Sequence, residues 1–154
     1  MSAITSGSGN TAVGVDALNL ATTGSANVAI GFEAGINVTG LNNTIVGYAA
    51  LSTASAANSN TVIGYQAMAN STAGANNIVL GVSAASAFTG SEGNNIIIGN
   101  TGTLADTNTI RIGTQGAGVG QQNRNFQAGI NGVTVGSPRP VVIDSVTNQL
   151  CYGS

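Results

Sequence analysis

Nine residues, NTAVGVDAL, stand at positions 10 to 18. They return with small changes as NVAIGFEAG from Asn27, NTIVGYAAL from Asn43 and NTVIGYQAM from Asn60. Aligned on one glycine, the copies give Gly14, Gly31, Gly47, Gly64, Gly81, Gly99 and Gly113, at steps of 17, 16, 17, 17, 18 and 14 residues. Self-similarity at a short period marks a solenoid or stacked array and takes precedence over any other motif. The energetics point the same way. Ordering backbone costs about 1–2 kcal/mol per residue, whereas a fully buried Val, Leu or Ile contributes about 1.5–3 kcal/mol. One rung of about seventeen residues cannot fold alone, so a pile of rungs sharing apolar columns is expected.

The residue types choose strand over helix. Before the glycine stand Val13, Ile30, Val46, Ile63, Leu80, Ile98 and Ile112, and one position earlier Ala12, Ala29, Ile45, Val62, Val79, Ile97 and Arg111. Earlier still come Thr11, Val28, Thr44, Thr61, Ile78, Ile96 and Ile110. Short β-branched runs between Asn and Gly read as strands with turns on either side, with room for a second, weaker strand in the other half of each rung. Consecutive strand residues face opposite ways, and both columns before the glycine are apolar apart from Arg111. Apolar residues on both faces imply burial on both sides. The second face then needs a partner, most simply another copy of the chain. The column Val13, Ile30, Val46, Ile63, Leu80, Ile98 and Ile112 is assigned as the structural core, with Ile63→Asp expected to prevent assembly.

Two further columns have structural readings. Asn10, Asn27, Asn43, Asn60, Asn77 and Asn95 tolerate positive φ and can bond neighbouring backbone; stacked amides can also form a ladder. The seven glycines fit a place where a side chain would clash with the turn or with the next rung. After them come Val15, Phe32, Tyr48, Tyr65 and Val82, then alanines at 17, 34, 50, 67 and 84. The alanines imply close approach. The larger residues read as cover for a seam; Tyr48 and Tyr65 as ligand-binding aromatics is the competing reading.

These strings resemble the head repeat of trimeric autotransporter adhesins, the YadA-like head, also found in bacteriophage tail fibres. The resemblance covers about residues 8 to 114 and weakens in NNIIIGN and NTIRIGT, which lack the following Ala-Leu. It implies an all-β fold, a left-handed parallel β-roll or solenoid of about seven rungs in an intertwined homotrimer. The roll is assigned to residues 1–114 and a short β-rich C-terminal extension to 115–154. In the extension, GTQGAGVGQQNRN reads as a connector, Asn131-Gly132 as a hairpin signal, and residues from Arg139 onward as a strand pair turning near Thr147-Asn148. It resembles the segment that joins such repeats to an endosialidase-type intramolecular chaperone.

Chemistry is sparse. The acids Asp16, Glu33, Glu92, Asp106 and Asp144 are isolated in sequence. Asp16 and Glu33 share a repeat position, but Ala49, Gln66 and Ser83 follow them there, as on a solvated column. With His 0 and Cys 1, neither a Ser-His-Asp nor a Cys-His arrangement can be built, nor a zinc-ligand cluster. No catalytic, metal or cofactor-binding residue is assigned, and no cofactor or enzymatic activity is expected. Cys151 reads as an incidental thiol, with an interchain bridge as the alternative. Only 5% of residues are charged and the net charge is −2. Three scattered arginines, Arg111, Arg124 and Arg139, argue against nucleic acid and anionic lipid. No apolar run reaches membrane-spanning length, and the opening MSAITSGSGN lacks the features of a secretory signal.

The expectation is a non-enzymatic structural or adhesive fibre module, a stiff trimeric rod displayed outside the cell on a bacterial surface or a virion. It would serve for spacing, or for attachment to a glycan or protein receptor. The alternatives are an ice- or crystal-binding solenoid using Thr11, Thr44, Thr61 and Thr109, and a filament subunit that stacks end to end.

Overall fold

The structure is a computed structural model; it describes residues 6–114, and the backbone of residues 141–143 and 150–152. The chain divides into two compact units, Met1–Asn123 and Arg124–Ser154.

The first unit is all-β in its described residues. Each repeat contributes one three-residue strand: β1 Thr11–Val13, β2 Val28–Ile30, β3 Thr44–Val46, β4 Thr61–Ile63, β5 Ile78–Leu80, β6 Ile96–Ile98 and β7 Ile110–Ile112. These pair in chain order as one parallel seven-stranded sheet. The register never slips: Val13 lies beside Ile30, Ile30 beside Val46, Val46 beside Ile63, and so on to Ile112. Seven parallel strands joined by six connections make a β-solenoid of about six turns.

Hydrogen bonds between rungs continue beyond the strands. Thr11 N–H donates to Asn27 C=O at 2.8 Å, Gly31 N–H to Val13 C=O at 2.8 Å and Glu33 N–H to Val15 C=O at 2.9 Å. Two residues further on the sense reverses, and Leu18 N–H donates to Ala34 C=O at 3.1 Å. The weaker second strand is reduced to isolated parallel bridges, Ser25 with Leu41, Asn58 with Ala75, Ala75 with Gly93, and Gly93 with Thr107. A left-handed residue cuts it off from the main strand in each rung: Ala26, Asn42, Ser59, Asn76, Asn94 or Asn108, at φ of 55 to 60°.

The core corrects the assignment made from sequence. Inside the solenoid lie Ala29, Ile45, Val62, Val79 and Ile97, the second column before the glycine, all sealed from solvent. The alanines at 17, 34, 50, 67 and 84 are sealed with them, as are Leu18, Leu51 and Met68. Val13, Ile30, Val46, Ile63, Leu80, Ile98 and Ile112 are not the core of the single chain. Strand alternation turns them to the outer face, where Val13 is 55% exposed, Ile30 41% and Ile63 38%.

The glycine column is explained by the next rung. Gly14 and Gly31 sit at φ 126° and 136°, and a Cβ built on either would come within 2.5 Å of the carbonyl oxygen of the glycine one rung on. Carbonyl backbone cannot move aside without breaking the ladder, so only glycine fits.

In the second unit, β8 Val141–Ile143 and β9 Leu150–Tyr152 pair antiparallel, with Val142 opposite Cys151. This matches the expected strand pair. The Asn131-Gly132 signal and the Gly/Gln connector lie outside the described residues.

Candidate interaction face

Three parallel columns make up the outer surface of the sheet. The first is Thr11, Val28, Thr44, Thr61, Ile78, Ile96 and Ile110. The second is the misassigned column from Val13 to Ile112. The third follows the glycine: Val15, Phe32, Tyr48, Tyr65, Val82, Asn100 and Thr114. Strand parity puts all three on the side facing away from the sealed column. Val15 is 65% exposed, Val82 73%, Ile78 48%, Leu80 44%, Ile110 67% and Ile112 59%. Single exposed aliphatics are ordinary, whereas a contiguous apolar patch marks a surface that something covers.

The aromatic rings in the third column stack. Phe32 and Tyr48 have centroids 5.1 Å apart at 10° between planes, and Tyr48 and Tyr65 are 5.2 Å apart at 13°. In-register rungs force this, because identical positions repeat at one strand spacing. Both faces of Tyr48 are therefore covered by neighbouring rings, and the stack presents edges outward.

No charge lies on the three columns. Asp16 and Glu33 follow the third column by one residue, at φ 57° and 53°. The column they share is not uniformly solvated, since Ala49 is buried. The two carboxylates are not assembled with a third ligand: no group of three or more His, Cys, Asp or Glu suited to a metal occurs among the described residues.

Two further acids stand in the last described rungs, and Asp144 lies outside the described residues. Glu92 and Asp106 stand seven residues before their glycines, where Gly24, Gly40 and Gly74 stand in earlier rungs. The Glu92 carboxylate accepts from Gly90 N–H at 2.9 Å and Thr89 N–H at 3.3 Å. Burial pushes that carboxyl up, but its own backbone N–H and those of Gly90, Thr89 and Ala105 outweigh burial and leave it below the usual glutamate range. Asp106 takes a forked contact from Arg111, Nε to Oδ2 at 2.7 Å and Nη2 to Oδ1 at 2.9 Å. That guanidinium holds the Asp106 carboxyl down at about 2, against desolvation and with help from Thr103. Arg111 thus ends the sealed apolar column on an ion pair. Beside it, Gly90, Ser91, Glu92, Leu104, Ala105 and Thr107 line an open hollow of about 380 Å³, and among the described residues no buried side-chain nitrogen or oxygen lacks a partner.

The asparagine column forms the expected ladder, within the interior. Asn27, Asn43, Asn60, Asn77 and Asn95 are sealed. Each Oδ1 accepts the backbone N–H of the equivalent residue in the next rung, as from Asn60 to Asn43 at 3.0 Å, from Asn77 to Asn60 at 2.9 Å and, at the last rung, from Thr109 to Asn95 at 2.9 Å. Each Nδ2 reaches a carbonyl of the following rung, as from Asn43 to Ala57 at 2.8 Å and from Asn60 to Gly74 at 2.7 Å. Asn10 opens the ladder, half-buried, with its Nδ2 on Gly24 C=O at 2.7 Å.

Sequence reasoning missed the left-handed residues. Besides the position before each asparagine, Asp16, Glu33, Ala49, Gln66 and Ser83 are left-handed, and so are Leu18, Leu51, Met68 and Ala85. Only the asparagines among them carried a signal. No helix is long and apolar enough to cross a membrane among the described residues. No protein-family model, curated protein or solved structure matches the chain.

Proposed function

We propose that the chain is a non-enzymatic structural module, one strand of a homotrimeric fibre displayed on a bacterial or virion surface for spacing or host attachment. The observation that carries this reading is the outer sheet face. Its middle column is Val, Ile or Leu in all seven rungs, yet Val13, Ile30, Ile63, Leu80 and Ile112 are each more than a third exposed in the single chain. Copies of the chain that cover this face would complete the burial that the strands' two apolar sides call for.

The resemblance to the YadA-like head repeat supports three copies rather than two. Receptor contact falls to the rest of the surface, which is amides and hydroxyls. Because the ring faces in the aromatic stack are committed to one another, a glycan would be recognised through those polar groups and not on an aromatic platform. Three copies raise a weak contact through avidity.

Neither alternative gains an observation. Thr11 and Thr44 are exposed, but Val28, Ile78 and Ile96 interrupt their rank, which breaks the regular hydroxyl array an ice surface needs. End-to-end continuation would set the Arg111 ion pair against a partner's apolar column. Light scattering of the purified protein tests the proposal: the expected mass is three times 15.0 kDa, and a monomer at all concentrations would overturn it.

A further inference from the structure

The apolar surface does not run straight along the solenoid. At the N-terminal end it occupies the second and third columns: Val13 with Val15, Ile30 with Phe32, Val46 with Tyr48, Ile63 with Tyr65. The first column there carries Thr11, Thr44 and Thr61 in three of four rungs, with Val28 in the second. At the C-terminal end the third column turns polar, with Asn100 and Thr114, and the first becomes Ile78, Ile96 and Ile110. Rung five, with Ile78, Leu80 and Val82 all exposed, spans the changeover. The apolar stripe therefore crosses the face diagonally.

We propose that the face is a self-association surface on which another copy of this chain lies along the diagonal, so that the chains cross at an angle and wind about one another. The inference rests on the homotrimer reading and adds to it the path of the contact. The stripe's midline shifts by two residues, about 7 Å, across six strand spacings, about 29 Å. That is a tilt of roughly 13°. The physical logic is that of coiled coils, where an apolar stripe that drifts around a straight element makes its partners wrap to stay in contact.

Charge selects a copy of the chain as the occupant. Before Arg111 the chain has no cation, and the carboxylates of Asp16, Glu33, Glu92 and Asp106 all lie off the three columns. Two acidic copies can meet without like-charge repulsion where neither presents a carboxylate, and this face satisfies that condition. A basic partner would find nothing on it to pair with.

The test places one aspartate at each of four corners in the full chain: Thr44→Asp, Tyr48→Asp, Ile110→Asp and Thr114→Asp. All four positions are exposed in the single chain, so each variant is expected to keep the wild-type circular dichroism. A diagonal contact predicts a crossed result. Tyr48→Asp and Ile110→Asp raise the concentration for half-assembly at least a hundredfold, whereas Thr44→Asp and Thr114→Asp change it less than fivefold. Where association does not reverse on dilution, the thermal midpoint of the assembly is read instead, with the same crossed pattern expected. A straight contact would group the variants by column, Thr44 with Ile110 and Tyr48 with Thr114, and would overturn the diagonal. A monomeric wild type would instead overturn the homotrimer reading itself.

Discussion

Val62 and Ile63 are joined by one peptide bond and belong to the same strand, yet Val62 is sealed while Ile63 is 38% exposed. The same contrast separates the inner and outer faces of the whole ladder. Inside, Ile45, Val62, Val79 and Ile97 are enclosed by their own chain, and the asparagine amides run beside them with every buried side-chain nitrogen and oxygen partnered among the described residues. Outside, an equally aliphatic column is left half-covered. The comparison teaches that hydrophobicity by itself does not identify the core of a solenoid. Closure of the chain on one side of the sheet does.

Aspartate at each of these neighbours breaks the comparison most sharply. Val62→Asp sets a carboxylate among apolar side chains with no partner, at a cost of several kcal/mol, comparable with the whole stability of a small domain. The expected outcome is loss of the strand signal in circular dichroism and no protected amides in hydrogen exchange. Ile63→Asp can turn its carboxylate into water, so the chain stays folded while its association weakens by at least tenfold in sedimentation. Equal damage to folding by the two substitutions would mean that the two faces are not distinct.

Much of this was legible before any coordinates. The glycine spacing gave the in-register stack, the asparagines gave the ladder, and alanines at 17, 34, 50, 67 and 84 gave the close packing. The inward column was harder to read, because two adjacent β-branched residues satisfy either assignment. One parity signal was available. Tyr48 and Tyr65 stand two residues after Val46 and Ile63, and Thr44 and Thr61 two residues before, so hydroxyl-bearing side chains share the parity of the misassigned core. Arg111 pulled the other way, since a charge in the truly inward column looks like an outward residue until Asp106 is found beside it at 2.7 Å. The diagonal stripe was also present in the sequence, but it means little until the three columns are known to share a face.

A substitution in the ladder sharpens the contrast from the inner side. Asn60 accepts from the backbone N–H and the Nδ2 of Asn77 at 2.9 and 3.0 Å, and donates to Gly74 C=O at 2.7 Å. Asn60→Ala leaves the buried Asn77 N–H without its acceptor, at about 1–3 kcal/mol, while Gly74 C=O keeps the Asn58 N–H at 3.3 Å. The expected loss of folding stability is about 1–3 kcal/mol in denaturant titration. Asn10→Ala, at the half-buried end of the ladder, loses less. Because Asn60 contributes nothing to the outer face, the fraction that remains folded should associate as wild type. A change in association without a change in stability would place the ladder on the wrong side of the sheet.

The smallest expected effect belongs to neither face, and it isolates what the turns contribute. Ala26 is exposed and left-handed at φ 55°, with its N–H held by Ser8 C=O at 2.8 Å. An L-residue with a Cβ costs about 1–2 kcal/mol in this conformation, and asparagine tolerates it better than alanine. The equivalent positions in four other rungs are Asn42, Asn76, Asn94 and Asn108, at φ 60, 57, 59 and 55°. The rung-to-rung hydrogen bonds set this conformation whatever residue stands there, as Leu18, Leu51 and Met68 show at their own left-handed positions. Residue type then decides only how much strain the ladder carries. Ala26→Asn should stabilise the fold by about 0.5–1 kcal/mol, and Ala26→Val should destabilise it by a similar amount or more, since β-branching is least compatible with positive φ. Neither should alter the mass in solution. If Asn and Val shifted the thermal midpoint alike, the side chain's backbone preference would have no part in the turn, and the repeated asparagines at this position would need another explanation.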